Sequence, residues 1–233
     1  MQSRNLNSSA PDVIFRRLSE SIATGELAAG VKLPPETELA SSMGVALMTL
    51  RGALAMLREA GLIRTARGRN GGNFVADDVG MRLVDAASGI QLTRGEIRDL
   101  TDWRRAISGE ACYLAAERGT EEEFEHIAHM SREFDGCVAD LPTMRMADAR
   151  LHKLIAKASG SGRLIHYEAE IQIEMNRLVL ARQPLKGYAP HLVKSHVPLV
   201  TAITQRNGEL ARQEMLAHAE ETFNWGVGLA KLD

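Results

Sequence analysis

Between Thr24 and Ala76 the chain runs through helix-compatible segments cut by glycines and then two strand-like runs around a basic loop. Few folds accommodate that order. A helix pattern ends at Gly25, and the stretch Gly30-Val31-Lys32-Leu33-Pro34-Pro35-Glu36 opens a second helix. Proline at the first helical position wastes no backbone donor, and acidic side chains in the first turn suit the positive end of the helix dipole. This helix must stop at Gly44. A third helix, from about Leu47 to Glu59, places Leu50, Leu54 and Leu57 on one stripe, and Gly61 closes it where a left-handed residue costs least. Leu62-Ile63-Arg64-Thr65 and Gly72-Asn73-Phe74-Val75-Ala76 read as strands, separated by the basic, glycine-rich Ala66 to Gly71. A helix-turn-helix with a wing is the expected result.

The rest of the chain is expected to be helical. A first helix starts near Pro11, capped by Ser9 or Ala10, and carries Ile14, Leu18 and Ile22 at i, i+4, i+8. Asp77 to Gly80 reads as a joint, being polar and ended by glycine. Helix-compatible segments then run over 81–88, 94–118, 120–139, 142–158, 161–183, 188–206 and 208–230, with breaks at Gly89, Gly119, Pro142, Gly160, Pro184 to Gly187 and Gly208. Several helices with short links predict an antiparallel bundle. The expected fold is mostly α: a winged helix-turn-helix of three helices and a two-stranded wing, followed by an all-α antiparallel bundle. The expected domains are 1–76, a linker with the first helix of the second domain over 77–93, and 94–233.

Charge is divided along the chain. Residues 1–76 carry 9 Lys and Arg against 6 Asp and Glu, a surplus of three positive charges, whereas 77–233 carry 19 against 24. The positive share falls on the segment expected to meet phosphates. No apolar run approaches membrane-spanning length, and Met1 to Asn7 lacks the apolar stretch of a signal peptide, so no membrane partner and a cytoplasmic location are expected. Cys112 and Cys137 are too few and too far apart for a disulfide framework or thiolate metal site. They read as small hydrophobes or inert thiols.

The N-terminal segment resembles the winged-helix domain of the GntR family of bacterial transcription regulators. The resemblance is carried by Leu33-Pro34-Pro35-Glu36-Thr37-Glu38-Leu39-Ala40, Gly44-Val45, Arg51-Gly52-Ala53-Leu54, Gly61-Leu62-Ile63 and Gly72-Asn73-Phe74-Val75. It spans about fifty residues in order, which makes it specific. The chain departs from the family where arginine usually stands at Thr37, and where serine or threonine followed by arginine stands at Ala46 and Leu47. Those side chains normally touch phosphates or base edges. The reader implied here uses Thr49 and Arg51 for the major groove, with Arg67 and Arg69 flanking Gly68 at a wing tip that approaches the minor groove.

In the helical part, Asp148 and His152 lie four apart on one helix, so their side chains leave the same face one turn apart. His196 and His218 fall on the last two helices. Spacing alone makes a solvated Asp–His pair the commoner reading. The C-terminal part, however, resembles the FCD ligand-binding domain of the FadR subfamily, whose metal-binding members use an aspartate-x-x-x-histidine and two later histidines. The resemblance maps these onto Asp148, His152, His196 and His218. Three imidazoles and a carboxylate suit zinc, with nickel or manganese as alternatives. Arg104-Arg105-Ala106-Ile107 and Ala115-Ala116-Glu117-Arg118 resemble the arginine-bearing first helix of that domain, although the family usually has glutamate where Ser108 stands. Arg104 then either grips an organic acid in bidentate fashion or pairs with Asp102 or Asp148 to orient the site.

Other polar residues carry less. His126 and His129 sit on a Glu-rich helix and read as a solvated face, as does the run Glu121-Glu122-Glu123 at a helix start. His166 and His191 match no role, and the methionines read as core filling. No nucleophile elbow, phosphate loop or dinucleotide fingerprint is present.

Together these features lead to the expectation of a transcription repressor, not an enzyme. It is expected to bind a near-palindromic double-stranded operator as a homodimer, because one recognition helix reads only a few base pairs. A small carboxylate effector at a zinc site would control it. Two alternatives stay open: a metal-dependent hydrolytic enzyme using coordination positions left free on the ion, and a regulator whose metal is purely structural.

Overall fold

The computed structural model describes residues 9–87, 92–180 and 196–228. The chain forms two compact units, Met1–Leu83 and Val84–Asp233.

The first unit begins with α1 (Ala10–Ala23), held at its start by a reciprocal box in which Ser9 accepts from the Asp12 backbone and Asp12 accepts from that of Ser9. Such a cap contributes about 1 kcal/mol. Its Ile14, Leu18 and Ile22 face the core. Next come α2 (Glu36–Met43) and α3 (Leu47–Glu59). The turn between them uses Gly44 at φ +67°, where a side chain would be strained. Pro35 caps α2 from outside instead of occupying the first helical position, and it offers no side-chain acceptor. The end of α3 is a Schellman turn, with Gly61 N–H donating to the Arg58 carbonyl and Leu62 N–H to that of Leu57, both at 2.9 Å.

Leu62 is consumed by that turn, so strand β1 runs over Ile63–Ala66, one residue later than its sequence pattern suggests. It pairs antiparallel with β2 (Gly72–Val75), in the register Ile63↔Val75 and Ala66↔Gly72. Lys32 adds a single bridge to Phe74. Ile22, Leu50, Leu54, Leu57, Ile63 and Val75 form the centre of the core.

Helix α4 (Val79–Ala87) contains Gly80, and the Asp78–Arg82 ion pair at 2.8 Å supports its first turn. Val79 is buried in the core of the first unit. The remaining helices are α5 (Arg94–Arg118), α6 (Glu121–Cys137), α7 (Leu141–Ala158), α8 (Gly162–Leu180), α9 (Val197–Thr204) and α10 (Gly208–Gly228). Thr93 with Glu96 and Thr120 with Glu123 repeat the capping box at α5 and α6, and Asp140 caps α7 ahead of Pro142. The helix expected over 188–206 is described only from Val197, because 181–195 lie outside the described residues. Long α5 packs along α10 and also meets α7, α8 and α9. Between them Cys112, Ala115, Leu151, Ile155, Ala202, Ile203 and Met215 make an apolar core. Helices α7 and α10, which line this core, also carry Asp148, His152 and His218 of the candidate site.

Candidate functional site

Helix α7 buries an unusual stripe for its apolar neighbours: Arg145, Asp148 and His152, at spacings of three and four, all point inward. His196 caps α9, fixed by Pro198 in the first turn, and His218 projects from the middle of α10. The structure brings these together. One ligand atom from each of Asp148, His152, His196 and His218 lies within 4.8 Å of every other. Asp148, His152 and His196 are buried and His218 is half-buried.

The internal geometry is that of lone pairs facing a common point. His196 Nε2 stands 3.1 Å from Asp148 Oδ1 and His152 Nε2 stands 3.7 Å from the same oxygen. Among the described residues neither ring nitrogen of buried His196 has an aligned hydrogen bond. Neighbouring ligands on one divalent ion lie about 3 Å apart, so this spacing suits a shared cation better than a network of hydrogen bonds. Phe134 meets the His196 ring edge-on at 4.5 Å and walls off that side. A cavity of about 250 Å³ reaches His196 and His218 from the side of Glu214 and Glu221.

Burial, ahead of the neighbouring positive charges, holds His152 and His218 well below the ordinary histidine range, so both are neutral near pH 7. Burial alone would raise Asp148. Arg145, then the histidines, outweigh it and keep the carboxyl well below its usual value. Neutral imidazoles and an ionised carboxylate are the protonation states that bind a metal.

A second ring of buried polar groups surrounds these four. Arg145, only 1% exposed, donates to Asp148, to the Gln172 side chain and, at 3.2 Å, to the Gln172 carbonyl. Gln172 in turn donates to Glu168 at 2.6 Å, and Ser108 donates to the other Glu168 oxygen at 2.7 Å. Helix α8 thus places a buried carboxylate, Glu168, against Ser108 of α5. Burial pushes the Glu168 carboxyl up, against the lowering effect of Ser108 and Gln172. Arg104, 2% exposed, has Nη2 3.1 Å from His152 Nε2 and donates to Thr222 at 3.1 Å, while its Nε has no partner among the described residues. It pairs with neither Asp102, which faces Arg98 at 3.9 Å, nor directly with Asp148. Arg145, Glu168 and Gln172 escaped the sequence reading. The available signal was Arg145 itself, a guanidinium on the otherwise inward stripe of α7.

The DNA candidates divide between a helix and a loop. Thr49 is half-buried and Arg51 exposed near the start of α3; Arg67, Gly68 and Arg69 form an exposed wing tip, with Gly68 at φ +107°. Arg51 is tied to Glu36 at 2.8 Å, and Glu36 also accepts from Asn73 of the wing at 3.5 Å. The Arg51 hydrogen bond, first among several causes, lowers the Glu36 carboxyl. Asn73 accepts from Thr65 at 2.7 Å, so α2, α3 and the wing share one polar link. His126 and His129 are exposed, and His166 is exposed beside Glu170 at 3.5 Å. His191 lies outside the described residues. Cys112 is buried and Cys137 half-buried, both as free thiols. No single described helix is long and apolar enough to cross a membrane.

Comparison with known proteins follows this division. Residues 11–72 match the family model for bacterial regulatory proteins of the gntR family, and residues 99–221 match that of the FCD domain. The chain is 36% identical over 216 residues to RmpR of Mycobacterium gastri, described as an HTH-type transcriptional regulator, covering 89% of this chain and 76% of that one. It is 29% identical over 224 residues to an L-lactate dehydrogenase operon regulatory protein of Escherichia coli K12, covering 88% and 85%. In fold it is similar to McbR/YncC of Escherichia coli, with a TM-score of 0.58 at 13% identity, covering 95% and 98%. The relatives matched are transcription regulators and not enzymes.

Proposed function

Because the chain belongs to the GntR family of bacterial transcription regulators and carries an FCD domain, we propose that it is a repressor whose operator binding is controlled by a small organic acid at a metal site. The observation that carries this reading is buried His196, whose Nε2 lies 3.1 Å from Asp148 Oδ1 and whose ring nitrogens have no aligned hydrogen bond among the described residues, inside a cluster of four donors. An unsatisfied buried imidazole is costly unless something is bound to it. Asp148, His152, His196 and His218 would hold one divalent ion, zinc first, nickel or manganese otherwise. The ion would supply a Lewis-acidic positive charge for an acid to bind.

The protein's own part is orientation and charge. Arg104 donates to the His152 lone pair. When that lone pair serves a metal, the guanidinium needs another acceptor, and a carboxylate provides one in matching geometry. The name of the lactate operon relative supports an acid of this kind. On the DNA side, Thr49 and Arg51 would enter the major groove and Arg67, Gly68 and Arg69 the neighbouring minor groove, with two copies of the chain on a near-palindromic operator. Switching requires the acid to bind the DNA-incompetent arrangement more tightly, since equal affinity shifts nothing.

Elemental analysis of protein purified without chelator is expected to find about one divalent ion per chain. Absence of stoichiometric metal, even after reloading with zinc, nickel or manganese, overturns the metal reading. His129→Ala serves as the control and leaves metal content unchanged.

A further inference from the structure

Helix α3 has two faces. Leu50, Ala53, Leu54 and Leu57 are buried in the core of the first unit, while Met48, Arg51 and Ala55, at spacings of three and four, form an exposed stripe. Met48 is 73% exposed, the most of any large hydrophobic side chain among the described residues. A single exposed apolar side chain is ordinary and carries nothing by itself. Its position does. In a helix-turn-helix the N-terminal residues of the recognition helix meet base edges in the major groove, and Met48 is the second residue of α3, three before Arg51. The surroundings suit a polyanion: the first turn of α3 has no acidic residue, and Ala46 gives its backbone donors no side-chain cap.

Base edges in the major groove offer hydrogen-bond donors, acceptors and one apolar feature, the C5 methyl of thymine. Ala46, Leu47 and Met48 bring no strong donor or acceptor, since a thioether accepts only weakly. Against a polar base edge they would leave donors and acceptors desolvated and unpaired, which is costly. A methyl group is what this turn can cover at a gain. Leu47 is half-buried against the core, so Met48 is the side chain that reaches outward, and its unbranched, polarisable thioether adapts to the surface it meets. We infer that Met48 reads the C5 methyl of a thymine in each half of the operator, next along the same stripe from the base met by Arg51. The inference rests on the docking of α3 in the major groove proposed above.

The experiment starts with the full-length protein, without added acid, selecting from random duplexes of about 30 base pairs, long enough for two half-sites. Gel-shift titrations then compare the selected duplex with versions in which each thymine in turn is replaced by deoxyuridine, which removes the methyl and keeps the base pair. The expected result is one thymine in each half-site whose methyl contributes about fourfold to affinity, the gain from burying one such group. In Met48→Ala the ratio at that position is expected to fall to near one. Sensitivity to uracil that arises from DNA shape would persist in the variant. Equal affinity for thymine and uracil at every position, in a protein that does select a site, overturns the inference and leaves the operator reading standing. A thymine preference that Met48→Ala retains in full also overturns it, because the methyl is then read by another group. Selection that enriches no sequence overturns the operator reading, and the inference with it. The comparison on native protein needs no variant, and Met48 lies outside the core, so its replacement removes no core contact.

Discussion

Arg145 and Asp148, one helical turn apart on α7, form an ion pair that is almost wholly out of water: the arginine is 1% exposed and the aspartate 8%. Neither can be removed cheaply, since the survivor would be a buried charge without its partner. Their arrangement also fixes the carboxylate before any ion arrives, because the other arm of the guanidinium is anchored on Gln172 of α8. A ligand held in place costs less entropy on binding than one that must be ordered.

Arg145→Met is therefore expected to destabilise the metal-free protein by about 3–5 kcal/mol. With zinc bound, the ion itself compensates Asp148, and the loss is expected to be smaller. Urea unfolding with and without zinc measures both. An equal loss in the two states would mean that Arg145 acts through packing alone.

Some of this organisation was legible from residues and some was not. The limits of α3 follow from Gly44 and Gly61, glycines at φ +67° and +70° that stop helices by local geometry. The start of β1 did not, because Leu62 is apolar enough for a strand and is drawn into the turn closing α3 by a bond to Leu57. The four candidate donors came from the resemblance, since spacing alone favoured a solvated Asp148–His152 pair, and α7, α9 and α10 do bring them together. The ring behind them was not found. Whether a polar residue on an inward stripe meets a partner depends on the helix packed across from it, and Gln172 and Glu168 are 27 and 60 residues from Arg145 and Ser108. The link between Arg51 and Glu36, 15 residues apart, was hidden for the same reason.

Acid is expected to weaken the helical unit in a defined window. Burial first, then nearby charges, depresses His152 and His218 in the folded chain. Their unfolded pKa is about 6.5, so above that pH neither state takes up a proton and the contribution to stability is complete. As pH falls below it the unfolded chain binds protons that the native chain refuses, and stability is lost. Thermal melts at pH 7.5 and 5.5 should show a lower Tm at 5.5, and added zinc should raise Tm more at 7.5 because it binds only neutral imidazole. A zinc effect of equal size at both values would count against histidine ligation.

Glu168 behaves in the opposite sense. Burial raises its folded pKa, so at neutral pH the native chain bears the cost of holding a charge that water would solvate better. This cost disappears as pH falls through the raised value, since the folded carboxyl then takes up its proton first. Glu168→Gln is expected to raise Tm at pH 7.5 relative to the native chain, and the difference is expected to shrink toward pH 4. A difference that grows on acidification would contradict the assignment.

For DNA, Arg51→Ala is expected to cost roughly 1–3 kcal/mol of operator binding if Arg51 makes a bidentate base contact. Arg51 is held by Glu36 in the free protein. Glu36→Gln is then expected to weaken operator binding less than Arg51→Ala does, because the arginine remains but loses its brace. Arg69→Ala, if that residue meets phosphate, should weaken all sequences alike and flatten the salt dependence. Gel-shift titrations at several salt concentrations distinguish these cases, and unchanged affinity for Arg51→Ala would remove α3 from the major groove.

The strongest test joins the two units through their chemistry. If the acid acts by completing the metal site, its effect on DNA must need both the metal ligand His196 and the guanidinium of Arg104, although neither is proposed to touch DNA. A coupling of about 1–3 kcal/mol corresponds to a change in operator affinity of roughly 5- to 150-fold. His196→Ala and Arg104→Ala are each expected to retain operator binding and lose that response. Arg104→Lys should recover only part of it, since an ammonium keeps the charge but not the fork that matches a carboxylate. Operator titrations with and without the acid, on native and metal-stripped protein, read the coupling directly. An acid that binds metal-free protein as well as the zinc form, and still releases DNA, would separate the switch from the metal and leave the ion a structural part of the helical unit.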